Sequence, residues 1–330
     1  MTMNKSHPAT CLSSIIQDFL EHWRALGRGY RSEERVLWSL NDFVALSSSR
    51  DLDLSTFEQW CAYQKETLGP TSLRSYQQIV RKFCLYRTRT LDHGFVPDPH
   101  FFSKRRAPLL PYIFKPEDIH RVLAKCSELK ATSSSPLFPD GLRLAVILLY
   151  TAGLRIGELI RLTLSDIVIA EELIRINQSK FHKSRMVPLS PGTFQEVSRF
   201  LEKRVAPSFD SSPGSALLGS YVRGVWREYT DQGLRLGIKK ALRSAHVVGP
   251  DGRCPRVHDF RHSFAVQALL RWYRTGADVQ SKLPVLAHYM GHVSIASTAY
   301  YLQWLPDIAT EASRRFEDYA GLLVNPGGVL

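Results

Sequence analysis

Residues 151–159 read Thr151-Ala152-Gly153-Leu154-Arg155-Ile156-Gly157-Glu158-Leu159. They follow Leu142–Tyr150, a stretch apolar but for Arg143, with the composition of a buried helix that closes at Gly153. A glycine at 153 permits a sharp turn, and Gly157 permits close helix packing. Arg155 then stands at a helix start with Glu158 one turn on. Two readings fit this pair. One is an ordinary ion pair at i, i+3, which is worth little. The other is a guanidinium fork offered to a phosphate and steadied by Glu158, a task for which a rigid bidentate donor outperforms lysine.

Further chemistry-bearing islands lie downstream. Lys180 sits in the turn Gln178-Ser179-Lys180-Phe181-His182-Lys183-Ser184-Arg185. His258-Asp259-Phe260-Arg261-His262 places His258 and Arg261 three apart, on one helical face, where both could meet one phosphate. Gly291-His292 is followed nine residues later by Tyr301, with Tyr300 as the rival one residue earlier. That single step rotates a helical side chain by about 100°, so the two tyrosines cannot face the same group. His258/His262 and His288/His292 also have the i, i+4 spacing of a metal site. Neither pair encloses the glutamate of H-E-x-x-H and no thiolate pair is near, so no metal and no cofactor are expected.

Together, the four ordered islands resemble the catalytic domain of the tyrosine recombinases, the phage-integrase family, over about residues 112–310. The resemblance implies a mainly α fold with a small antiparallel β-meander, preceded by a SAM-like, four-helix core-binding domain. It implies a site-specific DNA recombinase acting through a 3′-phosphotyrosyl intermediate without metal or ATP. The matching catalytic residues are Arg155, Lys180, His258, Arg261, His292 and Tyr301, with Glu158 in support. Lys183 is a second candidate for the lysine role. Ser179 and Phe181 stand where many relatives carry glycines, and Met290 replaces the leucine of the family's Leu-Gly-His box. Two arginines on one phosphodiester suit a transition state whose equatorial oxygens gain negative charge. The implied partners are double-stranded DNA, at a site with inverted repeats, and three further copies in a tetramer on paired sites. A type IB topoisomerase and a non-catalytic DNA-binding regulator are the competing functions.

The remainder of the chain fits this division. Its 330 residues suggest roughly two domains. A helical period over residues 11–89 with almost no strand signal predicts four helices, with a third starting near Ser55, capped by it and boxed by Glu58. The fourth follows Gly69-Pro70, with Thr71 as its cap. Prolines 97, 99, 108 and 111 mark a linker, giving residues 1–104 as an N-terminal DNA-binding domain, 105–111 as the link, and 112–330 as the catalytic domain with a C-terminal tail helix. Lys115-Pro116-Glu117-Asp118 reads as a helix start. Ile167–Ile169, Leu173–Ile176 and Met186–Leu189 read as three short strands, with helices from Thr193 onward.

Composition excludes several classes. A hydrophobic fraction of 44% is too high for a disordered chain. The seven-residue run Leu144–Tyr150 is far short of the ~20 residues that span a bilayer. Five cysteines without a CxxC pair indicate neither a disulfide framework nor a thiolate zinc site. With no signal-peptide pattern at its start, the chain reads as soluble and intracellular; the resemblance implies a cytoplasmic, nucleoid-associated enzyme in the setting of a mobile element. Net charge is +12, with eight basic residues against two acids between Thr71 and Arg106. A solvated helix face would explain that cluster; so would a surface tracking DNA phosphates through Arg74, Arg81, Lys82, Lys104, Arg105 and Arg106, joined by Lys183 and Arg185 of the hairpin.

Overall fold

A computed structural model describes residues 7–291, apart from 48, 50, 93, 105–108, 178–183 and 207. The chain divides into two compact units, Met1–Leu109 and Leu110–Leu330. The boundary falls inside the proline-marked segment, where periodicity is lost.

The first unit holds four helices among its described residues: α1 (Ser13–Ala25), α2 (Arg31–Leu46), α3 (Leu54–Lys65) and α4 (Pro70–Leu91). Each turns the apolar side of its helical period inward. Ile16, Phe19, Leu37, Leu40, Trp60, Val80 and Phe83 form the buried centre. The caps differ from the sequence reading. Asp53, not Ser55, begins α3, and its carboxylate accepts from the Thr56 amide at 2.7 Å. Gly69, not Thr71, precedes α4, with Pro70 in the first helical position, where its missing N–H costs nothing.

The second unit packs α5 (Pro116–Ser127), α6 (Phe138–Thr151) and the short α7 (Ile156–Ile160) with a three-stranded antiparallel meander of β1 (Ile167–Val168), β2 (Leu173–Ile176) and β3 (Arg185–Pro188). Register pairs Ile174 with both Ile167 and Val187, which puts their side chains on one buried face. After α8 (Pro191–Arg204) comes a two-stranded hairpin, β4 (Gly219–Val222) with β5 (Val225–Glu228). Then follow α9 (Asp231–Ser244), α10 (Val257–Arg274) and α11 (Val279–Met290). The almost wholly apolar inner turns of α6 lie at the centre, consistent with a helix enclosed by its neighbours. As its acids and proline indicate, α5 starts at Pro116, and Asp118 accepts from the Lys115 amide at 3.0 Å.

The β4–β5 hairpin corrects the expectation of helix throughout that region. Its two-residue turn is Arg223-Gly224, both at positive φ (53° and 78°), as a tight hairpin requires. Gly219 is fixed by close approach: a Cβ there would collide with the Arg227 carbonyl oxygen, a backbone atom of the paired strand. Gly219→Ala is therefore expected to lower the unfolding free energy of the second unit by about 1–3 kcal/mol, the usual range for overpacking, as read by urea denaturation.

Candidate active site

The site begins with a carboxylate. Glu158 is almost completely buried, its side chain 2% exposed, in the first turn of α7. Its oxygens accept four hydrogen bonds. Arg155, the residue before α7, donates its backbone amide at 2.9 Å and Nη1 at 2.7 Å. Arg185, opening β3, donates Nη1 at 2.9 Å and Nη2 at 2.8 Å as a parallel fork. Four donors saturate the lone pairs of one carboxylate. Burial by itself would push the Glu158 carboxyl up. The hydrogen bonds and charge of Arg185, joined by Arg155, override it and hold the pKa down at about 2.

The end of α11 supplies the second anchor. The last carbonyls of a helix have no partner within it, and they carry the negative end of its dipole. Here three consecutive carbonyls meet three guanidinium groups. Tyr289 O accepts Nε of Arg185 at 2.7 Å, Met290 O accepts Nη2 of Arg261, and Gly291 O accepts Nη2 of Arg155 at 2.7 Å. Arg261 also donates Nη1 to Gly153 O. Both glycines are obligatory by geometry. Gly153 has φ +59°, and a Cβ on it would lie 2.5 Å from the Phe264 ring. Gly291 ends α11 at φ +63°, with Arg185 Nη1 and Arg155 Nη1 at 3.0 and 3.3 Å from the position a Cβ would take. For the other glycine of the island, Gly157, the neighbour of a would-be Cβ among the described residues is Arg161 Nη1 at 3.3 Å.

His258 and Arg261 occupy the first turns of α10, as their spacing implies. The helix start is boxed by Asp259, which accepts from the Arg256 amide at 2.8 Å. Arg261 is 1% exposed at the floor. A cavity of 490 Å³ opens over it, walled by Arg155, Glu158 and His258 and extending to Arg161 and Arg235. His258 lines this cavity and is itself exposed. Desolvation by the cavity wall, with the nearby Arg261 charge, pushes its pKa below the ordinary 6.5 and favours the neutral ring. Arg155 remains about a quarter exposed. The carboxylate cancels one of the two guanidinium charges it binds, so the triad retains a net positive charge, which Arg155 carries to the cavity. The arrangement suits a phosphate: fixed guanidinium donors, a neutral imidazole and a recess that limits water.

The phage integrase family model matches residues 114–306. A putative integrase/recombinase, y4rB of Sinorhizobium fredii, is 30% identical over 311 residues, covering 92% of this chain and 96% of the relative. The tyrosine recombinase XerD of Lacticaseibacillus casei is 26% identical over 302 residues, covering 88% and 94%. The chain belongs to the phage integrase family. It is a tyrosine recombinase, an enzyme of site-specific DNA recombination. The mainly helical fold agrees with the Tn1549 transposon integrase solved with a circular-intermediate DNA, at a TM-score of 0.64 and 18% identity over 93% of this chain and 100% of that one. A lambda integrase dimer bound to a core site gives 0.58 at 14% identity over 88% and 94%.

Among the residues expected of a recombinase, the structure brings Arg155, Glu158, His258 and Arg261 together. Lys180, Lys183, His292, Tyr300 and Tyr301 lie outside the described residues, as do Arg105, Arg106 and the tail helix. Arg185 is a correction. It was expected as a DNA contact on a solvated hairpin, yet its side chain is 5% exposed, with both Nη atoms on Glu158 and Nε on Tyr289 O. The basic face of α4 is also narrower than its sequence suggests. Arg74 donates to Ser103 O at 3.0 Å, Arg81 to Pro97 O, and Lys82 to the Tyr30 hydroxyl while lying over the Trp23 ring at 3.9 Å. Lys104 is exposed. His258 and His262 stand edge to face at 4.6 Å, and no group of three metal-ligating side chains forms among the described residues. There is also no helix among them long and apolar enough to cross a membrane. Arg161 and Arg235 escaped notice in the sequence; the available signals were Arg161 one turn beyond Glu158 and the Asp231–Arg235 spacing of i, i+4, realised as a 2.6 Å ion pair.

A carboxylate held below its unfolded value stabilises the fold fully above the unfolded pKa and loses that contribution as pH falls through the folded one. For Glu158 the window runs from pH 4.5 down to about 2 and corresponds to about 3 kcal/mol. Glu158→Gln is expected to flatten the pH dependence of urea unfolding across this window. At pH 7 it should cost about 3–5 kcal/mol, because it leaves buried Arg185 without its counter-charge.

Proposed function

We propose that Tyr301 of this recombinase attacks a DNA phosphodiester held by Arg155 and Arg261. Its phenolic oxygen bonds to phosphorus as the bond to the 5′ oxygen breaks. A 3′-phosphotyrosyl link and a free 5′-hydroxyl result, and the hydroxyl of a second strand reverses the step. His258 handles the tyrosine proton, Lys180 protonates the departing 5′ oxygen, and His292 donates to a nonbridging oxygen. The phosphodiester is conserved in the covalent link, so each exchange is close to energetically neutral.

The observation that supports this reading is the convergence of Arg155, His258 and Arg261 on one cavity, with both arginines bound to the helix end that leads directly into His292. A phenol with an ordinary pKa near 10 is a weak nucleophile at neutral pH, and a neutral imidazole beside fixed cations answers that need. Duplex DNA bearing inverted repeats is the substrate, engaged by four copies of the chain on two sites. Relatives described as integrase/recombinases and a transposon integrase fold neighbour support a mobile-element setting, acting at the bacterial nucleoid.

The test uses a pool of nicked duplexes with randomised centres, so that the 5′-hydroxyl fragment diffuses away after attack. The unaltered chain and Tyr300→Phe are expected to form adducts that survive SDS; Tyr301→Phe is expected to form none. Adducts with Tyr301→Phe but not with Tyr300→Phe would reassign the nucleophile to Tyr300.

A further inference from the structure

We propose that Arg185 is a positioning residue for strand cleavage, holding Arg155 in its phosphate-binding orientation through Glu158 and the end of α11. The inference rests on the assignment of Arg155 to the scissile phosphate. It is carried by three contacts from one planar group. Both Nη atoms of Arg185 grip Glu158 on α7, and Nε grips Tyr289 O on α11. Glu158 Oε1 in turn accepts from Arg155 Nη1, and Gly291 O, two residues beyond Tyr289, accepts from Arg155 Nη2. Arg185 therefore touches both supports that orient Arg155, while its own 5% exposure keeps it from the DNA.

The chemistry of the triad argues for orientation over stability. An apolar filling of similar volume is often as stable as a buried ion group, or more stable. What such a filling lacks is direction. Without Arg185, Glu158 loses two of its four donors and its charge is balanced by Arg155 alone. The carboxylate can then rotate toward Arg155 and draw that guanidinium away from the cavity. Lysine cannot replace the fork, because a single ammonium cannot reach both carboxylate oxygens and Tyr289 O in one plane.

The experiment uses full-length chains and duplexes captured by the unaltered protein from the randomised pool. Each is made with a native scissile phosphate or with a methylphosphonate, whose neutral methyl group removes the nonbridging charge that Arg155 binds. Arg185→Met and Arg185→Lys are expected to retain DNA affinity within about threefold and to slow cleavage of the native phosphate about 100-fold, the scale of a misplaced catalytic group. On the methylphosphonate that defect should shrink to about tenfold or less, in parallel with Arg155→Ala. The double variant Arg155→Ala/Arg185→Met should cleave no more slowly than Arg155→Ala alone, since both act through one group. Equal losses on both substrates, or losses that multiply in the double variant, would overturn the proposal and leave Arg185 a folding residue. So would failure of both the Met and Lys variants to fold. A parent protein that forms no adduct on any duplex would instead strike the cleavage reading, and this inference with it.

Discussion

A carboxylate buried among four donors constrains the second unit more than any other contact in it. Taking Glu158 and its two arginines out of water is expensive, and the cost is recovered only if every oxygen and every guanidinium edge finds a partner. That requirement fixes α7, which carries Glu158 and follows directly on Arg155, against β3, which supplies Arg185. It also fixes both against the end of α11, because the remaining edges of the arginines need acceptors that α7 and β3 do not provide. The unpaired carbonyls at 289–291 meet that need. Three elements far apart in sequence are thus located by a single electrostatic condition, and the cavity is what remains beside them.

The same condition explains where glycine is indispensable. An arginine can use a backbone carbonyl as acceptor only if the chain turns so that the oxygen points inward. Gly153 and Gly291 make that turn at positive φ, one after α6 and one after α11, and each has a neighbour where a Cβ would stand. The arginine that each carbonyl receives is a catalytic candidate: Arg261 at Gly153 and Arg155 at Gly291. These glycines serve the arginines as much as the backbone. A side chain at 291 would push against both Arg155 and Arg185 and loosen the support from two directions.

Much of this was legible in the sequence, for definite reasons. Helical period in Ile15–Trp23, Val36–Val44 and Leu73–Phe83 reflects a single buried face, so the helices of the first unit are visible without tertiary information. The meander strands announce themselves through β-branched runs. The β4–β5 hairpin does not, because its turn places an arginine, Arg223, at positive φ where asparagine or aspartate would be the usual signal. His258 and Arg261 are legible by their spacing because both lie in the first turns of α10, and Arg155 through its motif island, where it immediately precedes α7. Arg185 is misread because a turn with several cations resembles a solvated tip, and only the fold shows that β3 carries this one beneath the surface. Asp53 loses to Ser55 on sequence because Glu58 supplies a capping-box spacing that the chain does not use.

The net charge of +12 can now be divided by position. Arg87, Arg185, Arg204 and Arg261 are buried, and each is bound to groups of its own unit: Arg87 to Asp51, Arg204 to carbonyls and the Trp226 face, the other two to the site. Counterion release on DNA binding reports only cations that reach phosphates, so these four contribute to the long-range field but not to the salt slope, apart from Arg261 where the cavity admits a phosphate. Arg74, Arg81 and Lys82 are partly committed within the first unit by their own acceptors. A cation that must choose between an internal carbonyl and a DNA phosphate gives a smaller net gain than a free one, since the internal bond is lost in the exchange. Affinity for DNA in this chain therefore depends less on how many basic residues it has than on how few of them the fold has already engaged.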